Sequence, residues 1–80
     1  MNKHEIGLLE IINTMLTARK CEPLNEITSD LELTDGLGFT SLDLAELTAR
    51  IEAQYGIDVY ADRIIHTIGE VVSQLESAKT

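Results

Sequence analysis

The amino-acid sequence predicts an all-α fold: a small bundle of three main helices plus one short helix, with a long ordered loop between the first and second helices. Three segments repeat apolar residues at the spacing of one helix face, and no segment alternates apolar and polar residues as a half-buried strand does. With 80 residues, 44% of them hydrophobic, the chain can build one aliphatic core. We therefore expect a single domain over residues 1–80.

The first helix is predicted over residues 3–20. Its apolar side chains fall on one stripe: Leu8, Leu9, Ile12, Met15 and Leu16. Arg19 and Lys20 are expected in the last turn, where positive charge suits the negative end of the helix dipole. Pro23 then ends the segment.

Residues 22–40 follow neither a helical nor a strand period, and Asn, Thr, Ser, Asp and Gly separate their apolar residues. We interpret this segment as a loop held in place by five apolar side chains: Leu24, Ile27, Leu31, Leu33 and Leu37. A loop of this length in so small a domain is usually functional.

The second helix is predicted to begin after Thr40, which can act as the N-cap with Asp43 as the acidic partner of a capping box. Its core-facing stripe is Leu44, Leu47, Thr48, Ile51 and Tyr55. Gly56 is a suitable C-terminal stop.

One short helical stretch is predicted over residues 61–66, followed by a last helix. Thr67 and Glu70 form the sequence pattern of a second capping box. The apolar face of this last helix is Ile68, Val71, Val72 and Leu75.

The charge of the chain is strongly negative, with a formal net charge of −8. Residues 21–49 hold seven acids and no Lys or Arg. Nucleic acid is therefore excluded as the main partner, because phosphate binding needs basic side chains. The acidic stretch predicts a partner with a basic surface. A membrane span is also excluded, since no run approaches ~20 apolar residues.

Other chemistries find little support in the sequence. Cys21 has no partner for a disulfide, and the N-terminus lacks the apolar run of a signal peptide, so we expect a cytoplasmic protein. His4, expected in a fraying terminus, and His66, expected at a helix end, do not have the spacing of a zinc site. Residues 30–41 resemble a calcium loop but lack its required Gly and Glu. We expect no metal site.

Ser41 is the serine of interest, because it follows a Gly-containing turn and begins the second helix. A nucleophilic serine needs a base beside it, and both His residues lie far along the chain, so we expect no catalytic residue. A serine that is itself modified needs exposure, and the positive end of a helix dipole tolerates a phosphodiester. Alternatively, Ser41 only shares the capping role of Thr40. The residues alone leave both open.

A resemblance to a known family favours the modified serine. Residues 37–47, LGFTSLDLAEL, resemble the attachment motif of acyl carrier proteins, Leu-Gly-x-Asp-Ser-Leu followed by Glu-Leu. Residues 51–59, IEAQYGIDV, are similar to the end of the second helix in that family. The likeness in length, helix order and acidity extends over the whole chain.

The resemblance implies a non-catalytic carrier. A separate phosphopantetheinyl transferase would add 4′-phosphopantetheine from coenzyme A to Ser41, and acyl groups would be held as thioesters on the arm. Acyl-loading and acyl-processing enzymes with basic docking patches are the implied partners of a monomeric carrier. The positions that match the family's docking residues are Leu42, Asp43, Ala45, Glu46, Ala49 and Glu52.

Two positions depart from the family pattern. Thr40 stands where the family usually has Asp, which puts recognition by a housekeeping transferase in doubt. Arg50 places a cation on a helix that is mostly acidic or neutral in the family, and it can pair with Glu46 at i,i+4. Both departures indicate a specialised fatty-acid, polyketide or related pathway.

Two alternatives remain open. A peptidyl or aryl carrier would use the same Ser41 and arm for an amino acid or aromatic acid. An unmodified acidic adaptor would simply bind a basic protein. Long acyl chains could enter between the helices, although ordinary core packing is the preferred interpretation of the residues concerned: Leu47, Ile51, Ile64, Ile65 and Val72.

Overall fold

Three helices make up the computed structural model, which describes residues 2–57 and 65–78. They are α1 (Lys3–Ala18), α2 (Ser41–Tyr55) and α3 (Ile68–Ala78). The described residues form no strand, and a single antiparallel bridge joins Glu32 to Thr67. The all-α prediction is confirmed. Of the short helix predicted over 61–66, residues 61–64 lie outside the described residues, and Ile65 and His66 are not helical.

Helix α1 begins with a capping box that the sequence prediction did not use. The Asn2 side chain accepts a hydrogen bond from the backbone N–H of Glu5 at 2.9 Å, and the Glu5 carboxylate accepts one from the Asn2 backbone at 2.8 Å. Two otherwise unpaired N–H groups are thereby satisfied.

Helix α1 ends two residues before the predicted boundary, and the placement of Arg19 and Lys20 in its last turn was wrong. Arg19 is the C-cap, and Lys20 has a left-handed φ of 63°. The backbone N–H of Lys20 donates to Thr17 O at 3.0 Å, and that of Cys21 donates to Leu16 O at 2.8 Å. This pair of hydrogen bonds is a Schellman motif, which turns the chain away from the helix axis.

Replacing Lys20 with glycine is expected to stabilise the protein. A residue with a Cβ is strained at this φ, whereas glycine is not, so Lys20→Gly should raise the free energy of unfolding by about 0.5–1 kcal/mol. Urea unfolding measures the change, and Lys20→Ala, which also removes the charge but keeps the Cβ, is the control. Equal stability of the two variants would contradict the prediction.

The core is almost wholly aliphatic, and α1 packs against both α2 and α3. Its buried members are Leu8, Ile11, Ile12, Met15, Leu16, Ile27, Leu33, Phe39, Leu47, Ile51, Ile65, Ile68, Val71, Val72 and Leu75. Residues from the predicted apolar stripe of each of the three helices contribute to this core. Of the residues between which an acyl chain could enter, Ile64 lies outside the described residues and the other four are core residues.

The segment between α1 and α2, residues 19–40, alternates turns with irregular stretches and packs along the start of α3. The backbone N–H of Ile68 donates to Leu31 O at 3.0 Å, and that of Gly69 donates to Ser29 O at 2.8 Å. First-turn N–H groups of a helix lack partners within the helix. The segment therefore supplies acceptors that α3 cannot provide for itself.

His4 lies in a different environment from the predicted one. It is buried in the first turn of α1, and its ring lies 6.3 Å from that of Tyr55 on α2. The Tyr55 hydroxyl occupies the space where a Cβ on Gly7 would be. Gly7 thus lets the end of α2 approach α1 closely, which covers His4, and the expected fraying terminus was wrong.

Candidate functional site

Ser41 is the first residue of α2, and its side chain is exposed. The preceding residue, Thr40, is the N-cap. Thr40 Oγ1 accepts from the backbone N–H of Asp43 at 3.3 Å, and the Thr40 backbone N–H donates to Asp43 Oδ2 at 2.9 Å, so the predicted capping box is confirmed. Within the described part of the chain, the Ser41 hydroxyl has no hydrogen-bond partner.

A tight turn sets the direction in which the chain enters α2. Gly38 has a left-handed φ of 77°, and a Cβ on Gly36 would lie 2.5 Å from the carbonyl oxygen of Glu32. The Phe39 backbone N–H donates to Leu33 O at 3.0 Å, and the Phe39 ring is buried. Both positions therefore favour glycine on steric grounds. The turn places Phe39 in the core just before the exposed start of α2.

Arg19 reaches this helix start from the end of α1. Its Nη1 lies 3.2 Å from Asp43 Oδ2, and its Cζ lies 5.8 Å from the centroid of the Phe39 ring, within the range of a cation–π contact. The sequence did not predict this role, because Arg19 was expected in the last turn of α1. The contact joins residues far apart in the chain, so no local pattern indicates it.

The carboxyl group of Asp43 is held in its ionised form by these neighbours. The backbone N–H of Thr40 lowers the pKa of Asp43 most, and the Thr40 hydroxyl and the Arg19 guanidinium lower it further, against the opposing effect of burial. The direction is the ordinary one for a carboxylate that accepts hydrogen bonds near a cation.

The stabilising effect of Asp43 is expected to depend on pH. Because its pKa in the folded protein lies below the ordinary value of 3.8, the stabilisation is present in full above that value and is lost as the pH falls through the lowered pKa. Asp43→Asn should therefore have a lower free energy of unfolding than the wild type at neutral pH, and this gap between the two should narrow in acid. Urea unfolding from neutral pH down to about pH 2 measures this gap.

The control for that series is Asp35→Asn, which removes an exposed carboxylate outside the capping box. At neutral pH, Asp35→Asn is expected to change the free energy of unfolding less than Asp43→Asn does. A gap for Asp43→Asn that stayed constant across the acid range would contradict the assigned role of the ionised carboxylate.

The outer face of α2 brings together five of the six predicted docking positions. Their exposed side chains are spaced three and four residues apart and therefore lie on one face of the helix. These residues are Leu42, Ala45, Glu46, Ala49 and Glu52. Leu42 is 80% exposed, an unusual position for a large apolar side chain. Asp43 differs, since it is partly buried and its carboxylate is engaged within the protein.

Glu46 forms the predicted ion pair with Arg50. Arg50 Nε donates to Glu46 Oε2 at 2.9 Å, one helical turn apart on the exposed face. Such a pair contributes only about 0.2–0.5 kcal/mol to helix stability.

Groups for other chemistry are scarce in the described ranges 2–57 and 65–78. They contain no set of three or more His, Cys, Asp or Glu side chains that could hold a metal ion. Cys21 is exposed with a free thiol, and His66 is exposed beside the start of α3. None of the described helices is long and apolar enough to cross a membrane. The exposed hydroxyl of Ser41 lies at the start of α2, next to the exposed Leu42.

Comparison with known proteins defines the class of this domain. Residues 7–75 match the family model described as Phosphopantetheine attachment site. A helical domain of this class is a carrier with covalently attached 4′-phosphopantetheine. The match spans most of the chain, and curated relatives agree with it. The chain belongs to the acyl carrier protein family.

Three relatives illustrate the likeness. The acyl carrier protein of Helicobacter acinonychis is 30% identical over 77 residues, which cover 92% of this chain and 97% of the relative. That of Saccharopolyspora erythraea is 34% identical, covering 90% of this chain and 76% of the relative. That of Thermotoga maritima is 35% identical, covering 65% and 67% respectively. No solved structure matches the chain significantly.

Proposed function

We propose that Ser41 carries the phosphopantetheine arm and that the protein holds acyl intermediates as thioesters on it for delivery to partner enzymes. The observation that carries this proposal is the exposed Ser41 hydroxyl at the first position of α2, within a chain of the phosphopantetheine attachment family. Capping by Thr40 leaves that hydroxyl available.

The start of α2 fits a phosphodiester. The positive end of the helix dipole and the free N–H groups of the first turn favour a negatively charged group there. The fixed turn before the helix and the buried Phe39 hold the backbone of Ser41 in place. When attached, the arm supplies the thiol that forms the thioester, and Ser41 supplies the anchoring oxygen.

The exposed face of α2 is the proposed docking surface. Leu42 offers an apolar side chain, and Ala45 and Ala49 allow a partner to approach closely. Glu46, Glu52 and Asp43 add negative charge around them. The charge would attract a partner enzyme with a basic patch, because charges at the rim of an interface mainly accelerate association. Such charges add little to the lifetime of the complex, so the partner can be released again.

The cargo we propose is an acyl group of a specialised fatty-acid, polyketide or related pathway. Support comes from Thr40 in place of the family's Asp and from Arg50 on α2. We further propose that the carrier acts in the cytoplasm as a monomer and that residues 1–80 form one domain. If an amino-acid-activating enzyme loaded the modified protein and an acyl-loading enzyme did not, a peptidyl or aryl carrier would be the correct assignment.

Intact-mass measurement tests the proposed attachment. The protein is incubated with coenzyme A, Mg²⁺ and a broad-specificity phosphopantetheinyl transferase, and a gain of one phosphopantetheine group is expected. Peptide mapping should locate the group on the fragment that contains Ser41. No mass gain, or a group located on another serine, would overturn the proposal. No gain together with tight stoichiometric binding to a basic protein would instead support the acidic adaptor.

A further inference from the structure

Two of the three acidic side chains of α2 are paired with arginines. Arg19 holds Asp43 at 3.2 Å, and Arg50 holds Glu46 at 2.9 Å. Both ion pairs join two described residues and involve α2. Glu52, the third acid, is exposed and takes part in neither. The negative charge of Asp43 and Glu46 is therefore partly balanced by these two arginines.

The two arginines reach the acids from different elements. Arg50 lies one turn further along α2, whereas Arg19 comes from the C-cap of α1. Both arginine side chains are exposed, at 40% for Arg19 and 42% for Arg50. A docking partner would therefore meet positive charge beside the very carboxylates that attract a basic patch.

We propose that Arg19 and Arg50 are specificity-determining residues that mask Asp43 and Glu46 against partners whose docking patch is wholly basic. This inference rests on the proposed function of the chain as a carrier that docks through α2. A partner lysine or arginine must share each carboxylate with an arginine already there and is itself repelled by that arginine.

The partner that fits this surface carries an acidic group beside its basic one. Its carboxylate would receive the guanidinium while its cation contacts the acid, so that all four charges remain paired. Like charges brought together at an interface cost free energy, which disfavours a partner whose patch is wholly basic. The arginine pairs thus select among carrier-binding enzymes.

Arg50→Gln is the sharper of the two test variants. It removes the cation from an exposed helical position with little cost to the fold. Arg19 also packs on the Phe39 ring, so Arg19→Gln is accompanied by Arg19→Lys, which keeps the charge. The matched control is Lys3→Gln, an equal change in net charge at the start of α1, the opposite end from Arg19.

The experiment measures kcat/KM for phosphopantetheine transfer by a transferase with a basic docking surface, at low and high salt. At low salt, Arg50→Gln is expected to raise kcat/KM about two- to fivefold over the wild type, the effect of freeing one exposed carboxylate. Lys3→Gln should change it less, and salt at ~1 M should remove the difference. A value for Arg50→Gln no higher than that for Lys3→Gln would overturn the masking.

A second measurement does not depend on modification of Ser41. A hexalysine peptide is titrated into each variant at low salt, and its binding is followed by NMR at the amides of α2. Tighter binding to Arg50→Gln than to Lys3→Gln supports masking, and equal binding overturns it. Failure of the wild type to accept phosphopantetheine would instead overturn the proposed function, so the two failures are distinguishable.

Discussion

Ser41→Ala is expected to abolish the attachment of phosphopantetheine while leaving the fold unchanged. The side chain is exposed, and the N-cap hydrogen bonds belong to Thr40 and Asp43, so removal of the Ser41 hydroxyl breaks no contact within the described residues. Alanine also favours the helix. Stability should stay within about 0.5 kcal/mol of the wild type, and intact mass should show no added group after incubation with the transferase.

Two variants act as controls for Ser41→Ala. Ser73→Ala removes an exposed hydroxyl on α3 and should be modified at the wild-type rate. Thr40→Ala removes the N-cap next to Ser41 and should lower the free energy of unfolding by about 1 kcal/mol while still accepting the group. Undiminished modification of Ser41→Ala, or equal loss in Ser73→Ala, would exclude Ser41 as the attachment residue.

Phe39→Ala is expected to remove much of the stability of the domain. Phe39 is 1% exposed, is the largest of the fully buried side chains and sits under the Arg19 guanidinium. Its truncation leaves a cavity in a small core, with an expected cost of about 3–5 kcal/mol. Small domains have only about 5–15 kcal/mol of stability in total. Urea unfolding monitored by circular dichroism measures the loss.

Phe39→Leu tests whether the effect comes from lost volume. Leucine keeps most of the apolar area, so the cost should be smaller, at roughly 1–2 kcal/mol. If Phe39→Ala cost no more than Phe39→Leu, the ring would not be the anchor of the turn before α2. Such a result would mean that neighbouring side chains repack into the space left by the ring.

Helix positions were the most predictable part of the fold, because caps and apolar stripes are local. Thr40 with Asp43 and Thr67 with Glu70 form the capping boxes that the sequence indicates. Gly56 ends α2 as predicted, and its backbone has a left-handed φ of 72°. The end of α1 was predicted wrongly, because continuing the helix through Arg19 and Lys20 is locally reasonable, and only backbone geometry shows where the chain turns.

The position of Ser41 at the start of α2 and the exposure of Leu42 were accessible to sequence reasoning. Helical periodicity assigns each residue to a face, and the turn before Thr40 ends the preceding segment. The burial of His4 was not accessible, since it depends on the close approach of Tyr55 over Gly7. A residue near a terminus carries no local signal that another helix will cover it.

The sequence by itself determined the all-α class, the capped start of α2, the placement of Ser41 on it and the Glu46–Arg50 pair, all of which depend on residues within a few positions of one another. Only the tertiary structure decided that Arg19 ion-pairs Asp43 and lies over Phe39. The packing of α1 against α2 brings these distant residues together. Charge counted along the chain therefore overstates the acidity of α2, because pairing depends on distance in space.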